Sequence, residues 1–177
     1  MCLLFFSFDS LSLSFRNYLT AFFLHQLIFE RMAVSVKIVN TSGNALPEYA
    51  THGASGMDLR ADLASPVVLQ PMERKLVPTG LFIELPEGYE AQVRPRSGLA
   101  FKQGITCLNS PGTVDSDYRG EIKIVLINLS GEEQIIHPGD RIAQLVLQKT
   151  EKIIWEEVTV LTETLRNQDG FGSTGKK

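Results

Sequence analysis

Histidine and cysteine are scarce in this chain of 177 residues, with three of the first and two of the second. Cys2 and Cys107 stand far apart and form no ligand spacing, which argues against a disulfide framework or a zinc site and fits a reducing compartment, the cytoplasm. No histidine-based triad and no cysteine nucleophile can be assembled, and no glycine-rich loop ending in GKS or GKT is present. Positive charge is not in excess: 17 Lys and Arg against 20 Asp and Glu leave a net charge of -3. A general basic field that would hold a nucleic-acid polymer is therefore missing. A polyanion bound here must be held by local arginines, backbone N–H groups or a metal. A long apolar run is missing too: the longest uncharged run near the N-terminus, Asn17 to Phe29, falls short of the ~20 apolar residues of a membrane helix. Neither a nucleic acid nor a membrane is expected as a partner.

What is present suits an ordinary globular core, with 44% hydrophobic residues in a length that fits one domain or slightly more. Residues 1–31 stand apart, rich in Leu and Phe and poor in Gly and Pro. They lack the basic start and small-residue cleavage site of a secretory signal, and Arg16 and Arg31 are too few for a mitochondrial presequence. Met32 then opens "MAVSVKIVN", a normal soluble start. The extension is read as an upstream start codon, against a weak targeting segment, with the functional domain at 32–177. From Val34 onward, short β-branched runs recur at close spacing, punctuated by Gly and Pro: "VSVKIV", "KLVPTGLFIELP", "YEAQVRP", "GITCLN", "EIKIVLINLS", "EQIIHPGDRIAQLVLQ" and "KIIWEEV". That pattern predicts an antiparallel sandwich or barrel. A helical period appears only around "SGLAFKQG". The end, "RNQDGFGSTGKK", loses the strand pattern and is expected to be a mobile arm, residues 166–177.

Several stretches carry more chemistry than a scaffold needs. "SPGTVDSDYRGE" crowds Asp115 and Asp117 into a turn that leads to a strand; taken alone, turn aspartates have the ordinary explanation of side-chain bonds to nearby N–H groups. "RPRSGLA" sets Arg96, a planar fork suited to phosphate oxygens, beside the Ser97 hydroxyl and Gly98, which lets a ligand approach the backbone. Its ordinary reading is a surface helix cap. "ASGMDLRAD" places Asp58 between a turn and a strand, as a turn carboxylate or as outer-shell support for magnesium. "HPGDRIAQL" is a tight turn feeding a strand that carries Gln144, and His137 there reads as a turn residue. "GFGSTG", with Arg166 upstream, offers N–H and O–H donors without bulk, and Phe171 could stack on a base; plain disorder is the alternative. Together these are the parts of a nucleotide site in which a carboxylate activates water.

In order and spacing, "ASGMDLRAD", "RPRSGLA", "NSPGTVDSDYRGE", "HPGDRIAQL" and "RNQDGFGSTG" resemble the five motifs of trimeric dUTPases. The resemblance implies a distorted jelly-roll or β-barrel fold. It also implies a homotrimer whose active sites are shared between chains, and magnesium-dependent hydrolysis of dUTP to dUMP and diphosphate. That activity keeps uracil out of DNA and supplies dUMP for thymidylate synthesis.

Carried over by residue, the resemblance makes Asp115 the base for the attacking water and packs Tyr118 against the deoxyribose. It gives the uracil edge to Asn109 and the backbone of Thr113 and Val114, with Lys123 bordering the pocket. Arg96, Ser97 and Gly98 match the phosphate-binding motif. Asp58 and Gln144 match residues that meet the metal–phosphate assembly through water, so no direct side-chain metal ligand is expected. Arg166, Gly172, Ser173 and Thr174 match the arm that clamps the γ-phosphate, and Phe171 matches the lid over uracil. Asn167 and Asp169 depart from the family's glycines at the start of that arm. The competing readings are a dCTP deaminase or a bifunctional member of the same superfamily, and a catalytically silent nucleotide-binding regulator.

Overall fold

The computed structural model describes residues 33–167. The extension at residues 1–31, Met32, and arm residues 168–177, with Asp169, Phe171, Gly172, Ser173 and Thr174 among them, lie outside the described residues.

Within them the chain runs β1 (Lys37–Asn40), β2 (Met57–Arg60), β3 (Val67–Leu69), β4 (Arg74–Pro78), β5 (Leu81–Glu84), β6 (Tyr89–Arg94), α1 (Ser97–Gln103), β7 (Ile105–Cys107), β8 (Gly112–Val114), β9 (Lys123–Asn128), β10 (Gln134–Ile136) and β11 (Arg141–Lys149). Every pairing is antiparallel. The strands form four small sheets, ordered β1-β5, β10-β3, β2-β11-β6-β8 and β4-β9-β7. This is the all-β architecture that the short β-branched runs predict, and the one short helix falls on "SGLAFKQG".

One core unites the sheets. Leu59, Leu69, Ile83, Ala91, Ile105, Ile124, Leu126 and Ile142 all point into it. Alternation is clear on β5, where Leu81 and Ile83 are buried between half-buried neighbours. β11 is paired along both edges, and the burial of the consecutive pairs Ile142 and Ala143, and Leu145 and Val146, shows that both its faces are covered, so it reads as a near-continuous apolar run. The break between β4 and β5 falls at Gly80, whose φ of +67° no side chain adopts easily. A Cβ there would lie 2.7 Å from Ser42 Cβ.

Two segments differ from the sequence pattern. "GTV" inside the aspartate-rich turn is the strand β8, because Thr113 and Val114 find a partner in Gln92 and Ala91 of β6. "KIIWEEV" is not a strand: residues 151–158 are exposed and unpaired among the described residues, with Ile154 94% and Trp155 86% exposed. A β pattern becomes a strand only where an edge is available to complete its hydrogen bonds.

Candidate active site

Two groups of polar residues flank β6. The first centres on Asp58. It sits in β2 opposite Gln144 of β11, and Gln144 Nε2 lies 3.4 Å from Asp58 Oδ1. Strict alternation would put Arg141, three residues before Gln144, on the other face of β11. The register slips between Arg141 and Ala143, so that Arg141 pairs with Arg60 while Gln144 pairs with Asp58. This bulge returns Arg141 to the Asp58 face, and its Nη1 reaches Asp58 Oδ2 at 3.2 Å. Arg96 arrives from the end of β6 as the residue before α1, with extended backbone and no side-chain cap. Its Nε donates to Asp58 Oδ1 at 2.9 Å, and its Nη1 donates to the Arg141 carbonyl at 3.1 Å. One half-buried carboxylate thus orients two guanidinium groups, whose combined charge exceeds its own. Arg141 is the member of this corner that strand alternation hides in the sequence; only the bulge reveals it.

Ser97 and Gly98 open α1 beside this corner and are exposed. A Cβ at Gly98 would meet no protein atom within 4 Å, so nothing packed in this chain demands glycine there.

The second group is the hairpin after β8. A cavity of about 280 Å³ is lined by Asn109, Thr113, Val114, Asp115, Tyr118 and Lys123, with Leu76, Val93 and Val125 as its apolar wall. The turn is closed by the Tyr118 N–H donating to the Asp115 carbonyl at 3.2 Å, and by Arg119 Nη1 donating to the Ser116 and Tyr118 carbonyls at 2.7 and 2.9 Å. Asp115 and Asp117 are both exposed, and neither carboxylate makes a hydrogen bond or ion pair among the described residues. The ordinary explanation for a turn aspartate, a bond from its side chain to a nearby N–H, does not apply to either. β8 is the outer strand of its sheet, paired to β6 alone, which leaves the backbone groups along its far edge for another partner.

Arg96, Ser97, Gly98 and Gln144 do not line the hairpin cavity. Within one chain the predicted residues therefore form two separate halves. Arg166 and Asn167 lie on the exposed tail that follows β11. Asn167 takes φ +45°, the left-handed region that Asn tolerates better than most residues, and its N–H donates to Thr164 Oγ1 at 2.9 Å. The asparagine standing where glycine is expected thus keeps a glycine-like backbone. His137 is a turn residue: its N–H donates to Asp140 Oδ2 at 2.7 Å. Cys107 is buried, and burial pushes its thiol up to about 11, so it stays protonated at neutral pH. Among the described residues no group of three or more His, Cys, Asp or Glu is placed to hold a metal ion, and no helix is long and apolar enough to cross a membrane.

The profile of the dUTPase family matches residues 42–175. A deoxyuridine 5'-triphosphate nucleotidohydrolase of Cytophaga hutchinsonii is 63% identical over 145 residues, covering 82% of this chain and 94% of its own. That of Finegoldia magna is 60% identical over 142 residues, covering 80% of this chain and 99% of its own. Among solved structures, a mutant dUTPase of Staphylococcus bacteriophage 80alpha with dUpNHpp superposes with a TM-score of 0.69 at 25% identity, covering 80% of this chain and 98% of that one. With the two half-sites and the all-β fold in agreement with these matches, the chain belongs to the dUTPase family.

Proposed function

We propose that this chain hydrolyses dUTP to dUMP and diphosphate, with Asp115 as the base. The observation that carries the reading is the Asp115 carboxylate itself, without a protein partner among the described residues, at the rim of a cavity walled by an open strand edge and Tyr118. The open edge of β8, Gly112–Val114, presents fixed N–H and C=O groups at alternate residues. Fixed groups separate uracil from cytosine because the 4-position changes from acceptor to donor, and a mismatched buried polar pair is costly. Asn109 and Lys123 border the same base, and Tyr118 occupies the space a 2′-hydroxyl would need. Asp115 takes a proton from water as that water attacks the α-phosphorus, and diphosphate leaves with the electrons of the broken P–O bond.

The triphosphate is assigned to the Asp58 corner, where Arg96 and Arg141 are held in place and Ser97 and Gly98 leave room for an anion. Both Asp58 oxygens already accept from guanidinium or amide donors. That donor set fits a magnesium ion carried on the phosphates, with Asp58 and Gln144 reaching it through water and no direct side-chain ligand. When bound, the ion neutralises phosphate charge.

Because the two halves are separate within one chain, we place the complete site between chains of a homotrimer. The exposed Ile153, Ile154 and Trp155 support this, since so apolar a tail is suited to covering by another chain. Arg166, Gly172, Ser173 and Thr174 then close on the phosphates of a neighbouring site, with Phe171 over the base. The reduced, buried Cys107 suits a cytoplasmic setting. The reaction removes dUTP from the pool that feeds DNA and yields dUMP for thymidylate synthesis.

Deamination of dCTP would need a free glutamate against the cytosine amino group. The glutamate at this cavity, Glu121, is engaged: Gly80 N–H donates to its Oε1 at 2.9 Å and Lys123 Nζ lies 3.3 Å from its Oε2. The deciding assay offers dUTP, dCTP, dTTP and UTP in parallel and measures diphosphate and ammonia. Diphosphate from dUTP alone is expected. Ammonia from dCTP would support the deaminase, and no product from any of the four would leave a silent nucleotide binder.

A further inference from the structure

Gly120 stands two residues after Tyr118 in the hairpin. Among the described residues the glycines with positive φ are Gly80, Gly88, Gly104 and Gly139; Gly120 is not one of them, so no left-handed backbone demands glycine there. The demand for glycine comes from the ring of Tyr118. A Cβ at position 120 would overlap Tyr118 Oη and lie 2.5 Å from Cζ and 2.9 Å from Cε2. The ring rests on the bare Cα of Gly120, and its hydroxyl donates to the Glu121 carbonyl at 3.1 Å.

That support is itself fixed from behind. Gly80 N–H donates to Glu121 Oε1 at 2.9 Å, Thr79 Oγ1 donates to the Ile122 carbonyl at 2.6 Å, and Ile122 N–H donates to the Leu81 carbonyl at 2.8 Å. Thr79 and Ile122 are buried. The segment on which the ring leans, just ahead of β9, is therefore anchored to the β4–β5 turn and cannot yield without breaking these bonds.

We propose that Gly120 is a positioning residue for sugar selection. Its missing side chain sets how far back the Tyr118 ring sits, and so how deep a space is left for the 2′-deoxyribose. The proposal rests on the reading above that Tyr118 faces the sugar. A methyl group at 120 drives the ring forward into that space, and groups that act on the phosphate chain are untouched.

The test is steady-state kinetics with dUTP and UTP on Gly120→Ala, Tyr118→Ala and the double variant. Gly120→Ala is expected to raise KM for dUTP about tenfold, with kcat within about threefold, as overpacking of one methyl in a binding wall does. In the Tyr118→Ala background the same methyl has space, so its penalty is expected to vanish. If Tyr118→Ala leaves the dUTP-to-UTP preference unchanged, the ring does not face the sugar, and the proposal falls with that reading. If Tyr118→Ala narrows the preference but Gly120→Ala leaves KM unaltered, or its penalty persists in the double variant, the reading stands and the positioning role is overturned. Should Gly120→Ala alone fail to fold, thermal melting of the double variant decides: recovery supports the ring as the obstacle, and no recovery overturns it.

Discussion

Arg141 reaches the Asp58 carboxylate, Nη1 to Oδ2 at 3.2 Å, only because β11 slips register between Arg141 and Ala143. The same carboxylate holds Arg96. Removing it takes from two guanidinium groups and Gln144 the carboxylate they share, at the corner proposed to hold the triphosphate. Asp58→Asn is expected to lower kcat/KM for dUTP about tenfold or more, since hydrogen bonds to charged groups are worth roughly 1.5–3 kcal/mol. Steady-state kinetics checks this, and wild-type values in that variant would detach Asp58 from the site.

That corner marks where the sequence is legible and where it is not. Asp58 and Arg96 stand out because each lies in a Gly- or Pro-bounded stretch with more polar groups than a turn requires, whereas Gln144, in a stretch that reads as plain hairpin chemistry, is singled out only by the resemblance. Arg141 does not stand out, because an offset of three on a strand puts two side chains on opposite faces, and a bulge leaves no mark in composition. The β-rich architecture is legible because alternation and turn residues are local signals. The state of "KIIWEEV" is not, because a local pattern does not say whether a strand edge will pair with it, and among the described residues none does. β8 is hidden for the converse reason, a strand of Gly112–Val114 being too short to show a period among turn residues.

The exposed tail carries a reporter for the proposed assembly, because Trp155 is the one tryptophan in the chain. If another chain covers it, its fluorescence is blue-shifted in the native protein and moves to the red when dilution dissociates the oligomer. Trp155→Ala is expected to weaken association by about 3 kcal/mol or more, the scale of losing a buried tryptophan. Sedimentation measures the assembly, and a monomeric wild type with red-shifted emission would remove the trimer from the account.

Asn167 holds a left-handed backbone at the entry to the arm. Asn167→Gly fits that conformation, and activity close to wild type is expected. Asn167→Val does not, because a β-branched residue is a genuine outlier at positive φ, and a loss of dUTP turnover with unchanged melting temperature is expected. Equal activity in both variants would show that the arm closes without this backbone.

Cys107 gives a pH signature. Burial raises its thiol from 9.0 to about 11 in the folded chain. A group that holds its proton more tightly when folded stabilises fully below its unfolded value and loses that contribution as pH rises through the folded one. The melting temperature is therefore expected to fall between pH 9 and pH 11, and to fall less steeply in Cys107→Ala. Parallel slopes in the two proteins would contradict it.

The most direct test of the whole account is turnover by Asp115→Asn, a change that keeps the shape of the side chain and breaks no bond within the described residues. With Asp115 as the base, dUTP is expected to bind with unchanged affinity while diphosphate release slows by about a hundredfold or more, the scale of a lost general base. Release at the wild-type rate would mean that another group takes the proton, and the site as drawn would be wrong.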